Sequence, residues 1–71
     1  MENIITVNGK EYPLPEDAKL DTAVKLYSDI AEGEIYFVRL NGKTVNSIID
    51  GTDQLLAPGD VLDVFPLIIG G

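Results

Sequence analysis

The 71-residue chain contains no cysteine and no histidine. Without cysteine it cannot build disulfides, thiolate metal sites, iron–sulfur clusters or thiol catalysis. Without histidine it lacks the commonest general base and metal ligand, so no nucleophile–base pair of the usual kind can be assembled. No catalytic residue and no metal set is therefore expected. Basic residues are scarce too, with 5 against 12 acidic ones and a formal net charge of −7. A surface of that sign repels phosphate backbones, which argues against nucleic acid as a partner. It suits solubility and attraction to a basic groove on another protein. No apolar run is long enough to span a bilayer, and Met1-Glu2-Asn3 lacks the basic start of a signal peptide. No membrane partner is expected, and the cytoplasm is the expected location.

Hydrophobic residues make up 45% of the chain, enough for one small core without staples. Ile4-Ile5-Thr6-Val7 reads as a β-branched strand. Asn8-Gly9 then suits a type I′ hairpin turn, which needs positive φ at both central residues. Residues 10–14 return as a second strand, and Pro13 and Pro15 place it at a sheet edge because proline has no N–H to give a ladder. Over residues 19–32 the period changes. Leu20, Ala23, Val24, Tyr27, Ile30 and Ala31 share one helical face and Leu26 widens it. Asp21 or Thr22 is the expected N-cap and Gly33 the expected left-handed stop. Residues 35–40 form a third strand, and Asn41-Gly42 turns it into a short fourth over 43–45. Residues 46–56 read as irregular, with a turn of helix around Ser47-Ile48-Ile49-Asp50. Ala57-Pro58-Gly59-Asp60 is a tight turn. Residues 61–65 are the last strand, and Pro66 is expected to end its ladder.

The order is ββαββ, a loop, then β. One amphipathic helix must lie across one face of a sheet to bury its stripe. The near-continuous apolar run of the last strand suits the centre of the sheet, between the first and third strands and parallel to the first. The expected fold is α+β: a β-grasp of the ubiquitin-like kind, with a mixed four- to five-stranded sheet and one helix across one face. The expected organisation is a β-grasp domain over 1–66 and a flexible tail over 67–71.

The tail is the unusual part. Phe65-Pro66-Leu67-Ile68-Ile69 runs apolar to the last two positions, Gly70-Gly71. Glycine has no Cβ, so such a tip can thread a channel closed to other residues. What it delivers is the carboxylate of Gly71.

Val38-Arg39-Leu40-Asn41-Gly42-Lys43, then Gly59-Asp60, then the apolar segment closing on Gly70-Gly71, together resemble the sulfur carrier proteins. These include the thiamine-pathway carrier and the small subunit of molybdopterin synthase. The resemblance covers essentially the whole chain. It implies that an adenylyltransferase of the ubiquitin-activating type uses ATP to adenylate Gly71. The acyl-adenylate then accepts sulfur as a C-terminal thiocarboxylate. That sulfur passes to thiazole synthase, or to product in the large subunit of molybdopterin synthase. The chain would be a protein co-substrate, binding no cofactor itself. Phe65-Pro66 before the end resembles molybdopterin synthase small subunits, whereas Leu67 departs from their second proline and the short length resembles the thiamine carrier. The pathway stays open. So do a ubiquitin-like modifier joined through Gly71 to lysines, and a plain binding module. The iron–sulfur version of the fold is excluded for want of thiolate ligands.

Within this reading Gly71 carries the reacting carbonyl and Gly70 allows the extended backbone that reaches it. Phe65, Pro66, Leu67, Ile68 and Ile69 anchor the tail on a partner, with Pro66 stiffening its exit. Phe65 could equally be core. On the third strand, Tyr36, Val38 and Leu40 share one face, and Ile35, Phe37 and Arg39 the other. Arg39 turns its set outward, which makes Phe37 and Arg39 either a partner surface or an ordinary solvated face. Glu16, Asp17, Asp21, Asp29, Glu32 and Glu34 form a solvated face or steer toward a basic enzyme.

Overall fold

The computed structural model describes residues 3–31 and 33–67. It is an α+β arrangement of a five-stranded mixed sheet and one helix. The strands are β1 (Ile4–Val7), β2 (Lys10–Pro13), β3 (Tyr36–Leu40), β4 (Lys43–Asn46) and β5 (Val61–Pro66), and the helix is α1 (Leu20–Tyr27). The sheet order is β2-β1-β5-β3-β4. β5 lies at the centre, parallel to β1 and antiparallel to β3, as the apolar run of the last strand predicts.

Both hairpins turn on Asn-Gly because the turn demands positive φ twice. Asn8 and Gly9 stand at 51° and 83°, Asn41 and Gly42 at 52° and 87°. β2 is an edge strand, consistent with the prolines around it. It stops at Pro13, although Leu14 still donates its N–H to the Asn3 carbonyl at 2.8 Å.

The helix is shorter than its apolar period. It spans eight residues, not fourteen positions of pattern, and Ser28 ends it with extended backbone. The Val24 carbonyl still accepts the Ser28 N–H at 3.1 Å, the last helical bond, and also accepts the Ser28 hydroxyl at 2.6 Å, a back-bond that competes with continued helix. Ile30 reaches the core from a loop, Ala31 is exposed, and Leu26 is 62% exposed rather than part of the buried stripe. Gly33 does adopt positive φ, at 86°, but turns a loop instead of stopping the helix.

Neither Asp21 nor Thr22 caps the helix. Lys19 holds the N-cap position without a side-chain bond. The first helical N–H groups find backbone acceptors in the long loop: Leu20 bonds the Gln54 carbonyl at 3.0 Å and Asp21 that of Thr52 at 2.9 Å. Asp17 organises the approach, accepting the Thr22 hydroxyl at 2.7 Å and the Lys19 N–H at 3.1 Å. These bonds, the hydroxyl first, hold its carboxyl below the ordinary range.

The core gathers between sheet and helix. Ile5, Val7, Leu20, Val24, Val38 and Leu62 are buried to 1% exposure or less. Tyr27 pins the end of α1 to β2, stacking on Tyr12 with ring centroids 4.3 Å apart and donating its hydroxyl to the Pro13 carbonyl at 2.8 Å. The expected turn after β4 is present. Asp50 donates its N–H to the Asn46 carbonyl, and the Asn46 side chain accepts the N–H groups of Ile48 and Ile49.

Candidate functional site

β5 alternates strictly. Leu62 and Val64 point into the core, while Val61 and Phe65 face solvent at 43% and 48% exposure. β3 alternates in phase, with Tyr36 and Val38 inward, Phe37 half-buried and Arg39 exposed. The register sets Phe37 opposite Phe65 and Arg39 opposite Asp63. Directly opposed residues of an antiparallel pair share a face with their Cβ atoms about 5 Å apart. The outer face of the sheet thus carries an aromatic pair beside an Arg/Asp pair. Phe65 is not a core residue: its odd position on the strand turns it away from α1.

Pro66 does not end the ladder. It lies within β5 opposite Tyr36, and Leu67 beyond it donates its N–H to the Ile35 carbonyl at 3.0 Å. The reason is parity. On β5 the odd residues bond toward β3, so the missing N–H of an even residue costs that ladder nothing. Leu67, 41% exposed, continues the alternation onto the face of Phe65. The sequence-predicted partner residues Phe37, Phe65 and Leu67 are therefore brought together, with Arg39 one pair further along, while Pro66, also exposed, has the opposite parity and lies beside Val64. Ile68, Ile69, Gly70 and Gly71 lie outside the described residues, as does Glu32 of the acidic set.

The far end of β5 is held by side chains that sequence reasoning reads only as turn formers. Asn41 accepts the Val61 N–H at 2.8 Å and donates to the Asp60 carboxylate at 3.0 Å. Asp60 in turn accepts the Ala57 N–H at 2.8 Å, and the Gly59 N–H reaches the Ile4 carbonyl at 2.7 Å. Asn8 accepts the Val64 N–H at 2.8 Å, where β1 has already run out. Asn-Gly at two hairpins is the visible signal, but the asparagine oxygens' second task depends on which strand lies alongside.

Of the acidic residues, Asp21 pairs with Lys25 at 3.6 Å across one helical turn, and Glu34 accepts the Ala31 N–H at 3.1 Å. Glu16, Asp17 and Asp29 are exposed. Among the described residues no group of three or more acidic, histidine or cysteine side chains is placed to hold a metal ion. No described helix is long and apolar enough to cross a membrane. Tyr36 is the buried exception to the polar surface. Its hydroxyl has no hydrogen-bond partner of good geometry among the described residues, and burial raises its pKa above the ordinary 10, with a Thr52 contact opposing and the Asp21 charge adding.

No protein-family model, no curated protein and no solved structure matches the chain.

Proposed function

We propose that the chain is a β-grasp sulfur carrier whose working group is the carboxylate of Gly71. The observation that carries this reading is the heading of β5. The strand is central, parallel to β1, and leaves the sheet beside a half-buried Phe37 paired with an exposed Phe65, with Pro66 and Leu67 leading in sequence to Ile68-Ile69-Gly70-Gly71. The strand order and the single helix across one face are what a β-grasp requires. The two turn motifs of the resemblance, Asn41-Gly42 and Gly59-Asp60, meet through hydrogen bonds, which gives each a reason to accompany the other.

The chemistry follows from the weakness of a carboxylate as an electrophile. A partner adenylyltransferase joins the Gly71 carboxylate to the α-phosphate of ATP and releases pyrophosphate. Sulfide displaces AMP to give the thiocarboxylate directly; a donor persulfide displaces AMP to give an acyl disulfide, whose S–S bond a second thiol of the partner then reduces, leaving the thiocarboxylate and a disulfide on the donor. That group gives up its sulfur in the second partner, thiazole synthase or the large subunit of molybdopterin synthase. The outer sheet face around Phe37, Phe65 and Leu67 is the docking surface, since exposed apolar residues side by side suit an interface.

Intact-mass spectrometry of the protein from its own host tests the reading. It first checks that Gly71 is the free carboxyl end. It then looks for replacement of one terminal oxygen by sulfur, reversed by hydrolysis. Removing Gly71 should abolish adenylation and leave the unfolding midpoint unchanged. Gly-Gly remnants on lysines of other proteins would replace the carrier by a modifier. The absence of both signals, with a competent activating enzyme and ATP present, would overturn the proposal.

A further inference from the structure

β5 outlasts its neighbour. The ladder with β1 pairs only Thr6 with Val61 and Val7 with Leu62, after which the chain turns away at Asn8. The even residues of β5 bond toward β1, as the bond from the Asn8 N–H to the Leu62 carbonyl shows. Beyond that point Asn8 takes the Val64 N–H, and Pro66 has none. What remains on this flank is the carbonyls of Val64 and Pro66, neither of which has a hydrogen-bond donor among the described residues.

A cleft of about 390 Å³ lies against this flank, lined by Asn8, Ser28, Asp29, Ile30, Glu34, Val64 and Pro66. Its floor is apolar, from Ile30, Val64 and Pro66. Its rim is rich in acceptors. The Ser28 hydroxyl has spent its proton on Val24, and Asp29 and Glu34 are carboxylates, Glu34 with one oxygen on the Ala31 N–H. The Asn8 amide nitrogen is the side-chain donor on that rim.

We infer that this cleft receives the guanidinium of an arginine from a protein partner. An added strand would bring carbonyls as well as N–H groups, and the flank offers them no donor in return. An arginine has five N–H donors and no acceptor. Its planar fork spans two oxygens where an ammonium addresses one point, and its weaker hydration lets it lie on an apolar floor. The −7 net charge favours the approach of a cation. This goes beyond the carrier reading and does not depend on it, although the cleft adjoins the strand that leads to the tail.

The test is an NMR titration of the full chain with a capped Gly-Arg-Gly peptide, and with its lysine and citrulline counterparts. Saturable amide shifts confined to Ser28, Asp29, Ile30 and Val64 are expected for arginine, with lysine several-fold weaker and citrulline weaker still. Asp29→Asn and Glu34→Gln should each weaken arginine binding about two- to five-fold, as an exposed ion pair allows, with all other amide positions unchanged. Equal shifts from arginine and lysine spread over the acidic surface would overturn the inference, as would no saturable shift. Either result leaves the chemistry of Gly71 untouched, because that reaction is read by mass and not by this titration.

Discussion

Asn41 and Asp60, 19 residues apart, are joined by a side-chain hydrogen bond of 3.0 Å, and the same asparagine accepts the first N–H of the central strand at 2.8 Å. The residue that turns one hairpin thus starts a strand from elsewhere in the chain. Substitution can separate the two tasks. Asn41→Gly keeps the positive φ and loses the acceptor, so it should cost about 0.5–1.5 kcal/mol, the net worth of a solvent-accessible hydrogen bond. Asn41→Ala should cost more, because alanine resists φ near 52°. Asn41→Asp sets a second carboxylate against that of Asp60, and the loss of stability from their repulsion should shrink as salt is added. Urea unfolding at low and high salt checks all three. An Asn41→Gly protein as stable as the parent would show the latch to be idle.

Asn8 does for Val64 what Asn41 does for Val61. Asn8→Gly should leave the turn intact and speed amide exchange at Val64 well above that at Val38. Exchange at both sites measured by NMR gives the comparison, and parallel acceleration would mean that the whole sheet had loosened.

Opposite faces of β5 should respond differently. Leu62 is fully buried, and Leu62→Ala should cost about 2–5 kcal/mol. Phe65→Ser removes a larger side chain from a half-exposed place and should cost less than about 1 kcal/mol, while weakening the proposed partner contact. Thermal melts paired with adenylation assays would distinguish them. A large loss of stability at Phe65 would return it to the core.

Tyr36 makes stability depend on alkaline pH. Its folded pKa is raised by burial, so the neutral hydroxyl is favoured in the fold. Its contribution is fully present below about 10, the unfolded value, and is lost as pH rises from there through the folded pKa, because the unfolded chain gives up the proton first. Tyr36→Phe should remove this dependence. At neutral pH it should be neutral or stabilising by up to about 1 kcal/mol, since the hydroxyl lacks a well-formed bond. Denaturation midpoints from pH 7 upward provide the measurement.

Ala18 sits at φ 55°, a left-handed conformation that alanine resists. Ala18→Gly should therefore raise stability by about 0.5–1 kcal/mol, the balance between relieved strain and the greater freedom of glycine when unfolded. A lowered melting temperature would mean that the methyl packs more usefully than its backbone angle suggests.

Local chemistry determined much of this molecule directly from sequence. Asn-Gly forced two hairpins, alternation sorted β3 into an inner Tyr36–Val38 face and an outer Phe37–Arg39 face, and the apolar run of β5 placed it centrally. Where a residue's role depends only on its neighbours in the chain, periodicity and φ preference suffice. Tertiary structure decided the rest. It ended α1 at Tyr27 despite a longer apolar period, and brought Ile30 into the core from a loop instead. It replaced a side-chain cap with the carbonyls of Thr52 and Gln54. It let the ladder run past Pro66, because the ring faces the flank that β1 does not reach. The cap and the ladder depend on which distant group supplies a hydrogen-bond partner, and only the folded arrangement of strands and loops sets that distance.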